Sequence, residues 1–252
     1  DTPYFDLETL KGLMYANRVF GAEVSLDDML QFCDESAPES LAPACGALAA
    51  WDGRVDLDSS AGAAVFTEAW RGLRSRLGTG FQNVISNTTF WTIDYDPADP
   101  LNTPSGIDLS RASNLDLLGQ VLQEAQDRLE NAGVALDADW GQIQYLQRGN
   151  ENVPIHGGAG TMGVYGAIGV GLSQGGYVNP RSGNSYIQAV TWDESDCPVA
   201  DVILVPSQST DPESPHFADQ TKLYSDKAWV RFPFCEEDIS AAQIGDTLLL
   251  QE

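Results

Sequence analysis

The apolar residues of this chain change their spacing partway along, and that change limits the folds open to it. Over the first half they recur at three and four residues, the period of an amphipathic helix. Asp6 can cap a helix carrying Leu7, Leu10, Leu13 and Met14. Ser25-Leu26-Asp27-Asp28 reads as a capping-box variant opening a second, with Leu26, Met29, Leu30 and Cys33 on one face. Ser59 to Leu77 forms a third, striped by Val65, Phe66, Ala69, Trp70 and Leu73. Asp94 to Gly106 is rich in Pro, Asp and Asn and reads as a loop. Ser110 to Asn131 then steps through Leu115, Leu118, Leu122, Ala125 and Leu129, with Gly133 as the stop.

After Asn150 the period is lost. Gly157 to Gly176 is too dense in glycine for a long helix. Ser185 to Trp192 and Ala200 to Val205 are rich in β-branched and aromatic residues, and the turn from Asp193 to Pro198 makes them a hairpin. Helices first and strands last predict an α+β fold. The predicted parts are a mainly helical one over 1–149 and a glycine-rich, mainly β one over 150–252.

Charge narrows the function. Asp and Glu number 37 against 13 Lys and Arg, a net charge of -24, and Lys occurs only at Lys11, Lys222 and Lys227. Such a surface repels phosphate backbones and anionic headgroups, so nucleic-acid and membrane partners are not expected. It suits a protein kept soluble in salty water, and equally a secreted one. No apolar run reaches the roughly 18 residues of a membrane span, and the chain opens at Asp1, which implies processing or a longer parent. Of the three ways to join Cys33, Cys45, Cys197 and Cys235, pairing nearest neighbours in sequence (Cys33–Cys45 and Cys197–Cys235) is expected. That points to an oxidising compartment, periplasmic or secreted. With no C-x-x-C and only two histidines, neither a metal site nor a cofactor is expected.

Local motifs are weak. Gly158 to Gly163 spells G-x-G-x-x-G, but Gly166, Gly169 and Gly171 follow where the dinucleotide fingerprint needs a helix. Asp94, Asp96 and Asp99 lack the glycine and terminal glutamate of a calcium loop and read as a solvated turn. Ser214, His216 and Asp219 supply the residue types of a triad, yet residues so close usually satisfy a turn's own backbone. No G-x-S-x-G elbow occurs, and His156 has no partner visible in sequence.

The most specific text is the run from Ser207-Gln-Ser-Thr-Asp-Pro-Glu-Ser-Pro-His216 through Asp219-Gln-Thr and Leu223-Tyr-Ser to Trp229. It resembles the C-terminal signature of the penicillin acylase superfamily, especially its acyl-homoserine-lactone acylases. Gly183-Asn-Ser-Tyr-Ile-Gln188, Pro154-Ile-His-Gly-Gly-Ala-Gly-Thr161, Asn17-Arg18 and Cys45-Gly-Ala-Leu-Ala-Ala-Trp51-Asp52 resemble the same proteins, so the likeness covers nearly the whole chain.

That resemblance implies a four-layer αββα N-terminal-nucleophile hydrolase, cut autocatalytically from one precursor. The terminal Ser of its larger chain attacks an amide, with its own α-amine as base. Asp1 cannot play that part, and the family's oxyanion Asn lies upstream of the matched region. The resemblance therefore implies the end of the larger chain, with no catalytic residue and no activity alone. Its expected partners are the upstream acylase segments (the smaller chain and the start of the larger) and a small acyl amide substrate. The alternative is a non-enzymatic extracellular module derived from such an acylase. Ser207, Gln208, Ser214, His216, Asp219 and Gln220 are the structural candidates, expected in an irregular loop broken by Pro206, Pro212 and Pro215. Ser185 to Trp192, apolar on both faces, is expected to leave an apolar patch and an open strand edge.

Overall fold

In the computed structural model, which describes residues 5–60, 62–78, 84–192 and 194–246, the chain forms two units. One comprises Asp1–Leu13 with Ser185–Glu252, the other Met14–Asn184. Asp1, Ala61 and Asp193, on which parts of the sequence reading fall, lie outside the described residues. Helices and strands alternate irregularly, and the chain is α+β.

The larger unit holds α2 (Phe20–Glu23), α3 (Leu26–Glu35), α4 (Ala42–Ala49), α5 (Gly62–Leu77), α6 (Ala112–Asn131) and α7 (Trp140–Ile143). Its strands are β1 (Trp91–Ile93), β2 (Ser105–Ile107), β3 (Gln144–Arg148), β4 (Glu151–Pro154) and β5 (Tyr177–Val178). β1 and β2 pair antiparallel across the Pro-rich loop, and β4-β3-β5 form a sheet in which β3 and β5 run parallel. Most of these strands are only two to four residues long, too short for an alternating pattern to show in sequence. The composition break at 149–150 falls in the turn between β3 and β4, within this unit.

Helix α5 is the centre of the unit. Every residue from Gly62 to Trp70 is buried, not only the expected stripe. A helix covered on all sides needs neighbours all round, and α4 and α6 pack on it. Phe66 lies between Trp51 and Trp70, with ring centroids 5.1 and 5.6 Å away. The burial includes a carboxylate: the Glu68 side chain has 0% exposure. Tyr177 Oη donates to its Oε1 at 2.9 Å, Arg128 Nε stands 2.8 Å from Oε2, and Arg71 lies 3.5 Å from Oε1. The Arg128 contact is an ion pair without hydrogen-bond alignment. Burial, reinforced by the Glu68 charge, raises the Tyr177 phenol well above its ordinary pKa and keeps it a donor.

Helix ends follow sequence chemistry with one reversal. α6 stops as expected: Gly133 adopts φ 69°, its N–H reaches Glu130 O, and the Val134 N–H reaches Leu129 O. Ser25 does precede α3, but its hydroxyl donates to Gly21 O at 2.6 Å instead of accepting from the helix. The expected capping box is therefore absent: no side chain caps α3, and Asp28 Oδ2 accepts the Ile107 N–H instead of reaching back to Ser25.

The smaller unit contains α1 (Leu7–Met14, whose last residue passes to the larger unit), β6 (Tyr186–Trp192), β7 (Pro198–Leu204), α8 (Asp219–Ser225), β8 (Val230–Phe232) and α9 (Glu236–Ala242). Asp6 caps α1 by accepting the Thr9 N–H at 2.7 Å. The hairpin forms in the register Ile187↔Ile203 and Trp192↔Pro198, and β8 adds a third antiparallel strand on β7. Burial along β6 alternates: Ile187 and Ala189 are buried, while Tyr186, Gln188 and Trp192 are exposed, Trp192 at 71%. Its second face is thus uncovered here, and among the described residues its outer edge has no strand partner.

Both expected disulfides are present, Cys33–Cys45 and Cys197–Cys235, with sequence separations of 12 and 38. In the chain-entropy view, closing the longer loop restrains the unfolded chain more. Replacing Cys33 and Cys45 by Ala should cost about 3 kcal/mol in urea unfolding, and Cys197 and Cys235 about 4 kcal/mol. Equal or reversed losses would show that something other than loop length dominates.

Candidate functional site

The segment from Ser207 is built by the end of β7 turning back to start α8. Ser207 holds φ 63°, a left-handed conformation, and is buried. Its Oγ accepts the N–H groups of Gln220 at 3.1 Å and Thr221 at 3.0 Å, satisfying two donors that the first turn of α8 leaves over. Thr221 Oγ1 donates to Val205 O at 2.7 Å, and Gln220 Oε1 accepts the Leu204 N–H at 2.7 Å. These bonds fasten strand to helix. The segment is not irregular throughout, as the prolines suggested: all three precede α8, and nothing after Pro215 stops a helix.

The loop between is tied by the remaining candidates. His216 O accepts the N–H groups of Gln208 at 3.3 Å and Ser209 at 3.0 Å; the Gln208 side chain is exposed. Ser214 Oγ accepts the His216 N–H at 3.1 Å. His216 Nδ1 meets Asp219 Oδ2 at 2.8 Å, with the imidazole side chain 60% exposed. Burial raises the Asp219 pKa, but bonds from His216, the Gln220 N–H and Ser207 outweigh it, leaving it below the usual range. Ser214 Oγ is thus an acceptor for the backbone of His216, and no contact between Ser214 Oγ and the His216 ring is seen among the described residues. Both contacts lie within the turn that leads into α8.

A second polar cluster was missed in sequence. Asn17 takes φ 49°; its Nδ2 donates to Asp56 Oδ1 at 2.6 Å, and its Oδ1 lies 3.2 Å from His156 Nδ1. His156 is buried with the Tyr15 ring edge-on at 5.1 Å. Buried side-chain donors also hold the glycine-rich segment. Trp140 Nε1 and Gln144 Nε2 both reach Gly157 O, at 3.0 and 2.8 Å, Gln144 also reaches Ile155 O, and Trp70 Nε1 reaches Thr161 O. The G-x-G-x-x-G letters fall on a 3-10 turn, Gly160–Met162, not on a helix start. The signal available for this cluster was the run Pro154 to Thr161 next to Asn17-Arg18, which only the resemblance singled out.

Asp96 and Asp99 spend their carboxylates on Ala98 N and Asn102 Nδ2, 2.8 and 2.7 Å away. Among the described residues no group of three His, Cys, Asp or Glu is placed to hold a metal ion, and no helix is long and apolar enough to cross a membrane.

Ser207 should reveal its two tasks by substitution. Ser207→Ala loses both accepted bonds and leaves a Cβ at positive φ, and should cost about 1–2 kcal/mol in urea unfolding. Ser207→Gly loses the same bonds but relieves the backbone, and should cost about 1 kcal/mol less than the alanine. An alanine variant as stable as the parent would remove Ser207 from the architecture.

Comparison with known proteins places the chain in a family. A sequence model described as penicillin amidase matches residues 1–241. An acyl-homoserine lactone acylase PvdQ of Pseudomonas savastanoi pv. phaseolicola is 36% identical over 237 residues, covering 93% of this chain and 29% of that protein. The aculeacin-A acylase of Actinoplanes utahensis is 32% identical over 248 residues, 94% of this chain and 28% of that protein. The chain therefore spans less than a third of the length of these relatives. A thermostable penicillin G acylase from Alcaligenes faecalis matches at 18% identity over 93% of this chain and 46% of that chain, with a TM-score of 0.38, too slight to transfer anything. On the match across residues 1–241, this chain belongs to the penicillin amidase family.

Proposed function

We propose that the chain is the C-terminal part of an N-terminal-nucleophile acylase, one that removes the acyl side chain of N-acyl-homoserine lactones or penicillin-type amides. On this reading it contributes scaffold and not the nucleophile. The observation that carries it is the Ser207–Trp229 segment: the residues that resemble the acylase signature are spent on fastening β7 to α8. The coverage of under a third of each relative supports a division of labour with other polypeptide. So does the uncovered face of β6, where Tyr186 and Trp192 stand exposed beside an edge with no strand partner among the described residues; upstream acylase segments would cover it. Two disulfides favour a periplasmic or secreted setting.

Assayed alone, the chain should release no free amine from an acyl-homoserine lactone or a penicillin above background. Joined to the remaining polypeptide of its parent gene, it should support hydrolysis, and Ser214→Ala and His216→Ala should each leave kcat within about tenfold, since neither touches the reacting atoms. Turnover by the isolated chain that those substitutions abolish would establish a local triad and overturn the scaffold reading. A joined polypeptide with no acylase activity would leave a binding module instead.

A further inference from the structure

Helix α1 belongs to the same unit as the C-terminal sheet, although 171 residues of the larger unit intervene between Leu13 and Ser185. Its apolar burial is slight, with Leu7 half-buried. Met14, its last residue, is the one buried side chain of the helix, and it belongs to the larger unit. Leu10, Leu13 and the preceding Phe5 are exposed. A helix with so little covered surface gains little from the hydrophobic effect.

Charged contacts join it to the sheet. Asp201 lies on β7, the middle strand, with its side chain only 6% exposed. A carboxylate so placed is costly unless opposite charge or hydrogen bonds meet it. Arg231, its cross-strand partner on β8, brings Nε to 2.8 Å from Oδ1. Oδ2 is taken by Lys11 Nζ at 2.9 Å, reaching in from α1. Lys11 is itself 14% exposed, is steadied by Glu8 one turn earlier at 2.6 Å, and stands 5.9 Å from the centroid of the Trp229 ring. Burial pulls the ammonium pKa down, but Glu8 and Asp201 more than compensate and hold it above the ordinary lysine value. In a chain with three lysines, one is committed to this contact.

We infer that Lys11 is a latch: its ion pair with Asp201 decides whether the N-terminal helix is docked on the C-terminal sheet. The sheet keeps its own neutralising cation in Arg231. Loss of the Lys11 charge, by substitution or by acylation of Nζ, therefore frees α1 and leaves β6, β7 and β8 paired.

Hydrogen exchange of the full chain, followed by mass spectrometry, tests this. In Lys11→Met, which keeps the aliphatic stem and drops the charge, peptides over 7–13 should exchange at least about tenfold faster, while those over 199–204 change less than about twofold. Lys11→Arg should retain the protection of 7–13 within about threefold, because the charge remains. Unchanged protection of 7–13 in Lys11→Met would overturn the latch, as would equal loss in both regions. Should Lys11→Met fail to fold, the unmodified chain decides. Lys11 should react with an amine-acylating reagent at least about tenfold more slowly than the exposed Lys222, and the acylated chain should lose protection over 7–13 alone. Reaction at the same rate, or acylation that leaves 7–13 protected, contradicts the proposal.

Discussion

The packing of the larger unit depends on how the buried carboxylate of Glu68 is neutralised. A charge removed from water is costly unless opposite charge and hydrogen bonds meet it. Here the three partners come from different elements: Arg71 from the next turn of α5, Arg128 from the end of α6, and Tyr177 from β5. Arg128 and Arg71 remain 47% and 38% exposed, so the arginines keep contact with water while Glu68 does not. The carboxylate thereby links α5 to α6 and to the short parallel strand β5. Apolar packing around Phe66 and Trp70 supplies most of the stability, but it is less selective about position than a charge that must be met.

The functional picture follows the same logic of polar groups serving structure. Ser207, Gln220 and Thr221 join a strand to a helix; Trp140, Gln144 and Trp70 hold a glycine-rich loop that has no ladder of its own. Ser, His and Asp side chains that look catalytic on paper are engaged with backbone or with one another.

Much of this was legible in the residues, and the failures have physical causes. Helix α6 was readable because its leucines, its length and Gly133 agree. The β6–β7 hairpin was readable because β-branched residues flank a turn, and the disulfides because nearest pairing proved right. β3 and β5 were not readable: Gln144 looks like a surface residue, and its burial depends on carbonyls of Ile155 and Gly157 that only the fold brings near. Glu68 was likewise invisible, since a charge off the apolar stripe reads as solvated until Tyr177, 109 residues away, arrives. The Ser25 cap failed by direction alone, the hydroxyl being donor and acceptor at once. Ser207 carried no local signal, and only resemblance marked it.

A double-mutant cycle between Glu68 and Arg128, measured by urea unfolding, tests the central role of the buried carboxylate most directly. Arg128→Met strips the buried charge of its nearest cation and should cost about 3 kcal/mol. Glu68→Gln leaves arginines that can turn to water and should cost less, and in its presence Arg128→Met should lose most of its effect, a coupling of at least about 1 kcal/mol. Additive losses within about 0.5 kcal/mol would mean that the two residues act independently, and that the placement of α6 rests on apolar packing alone.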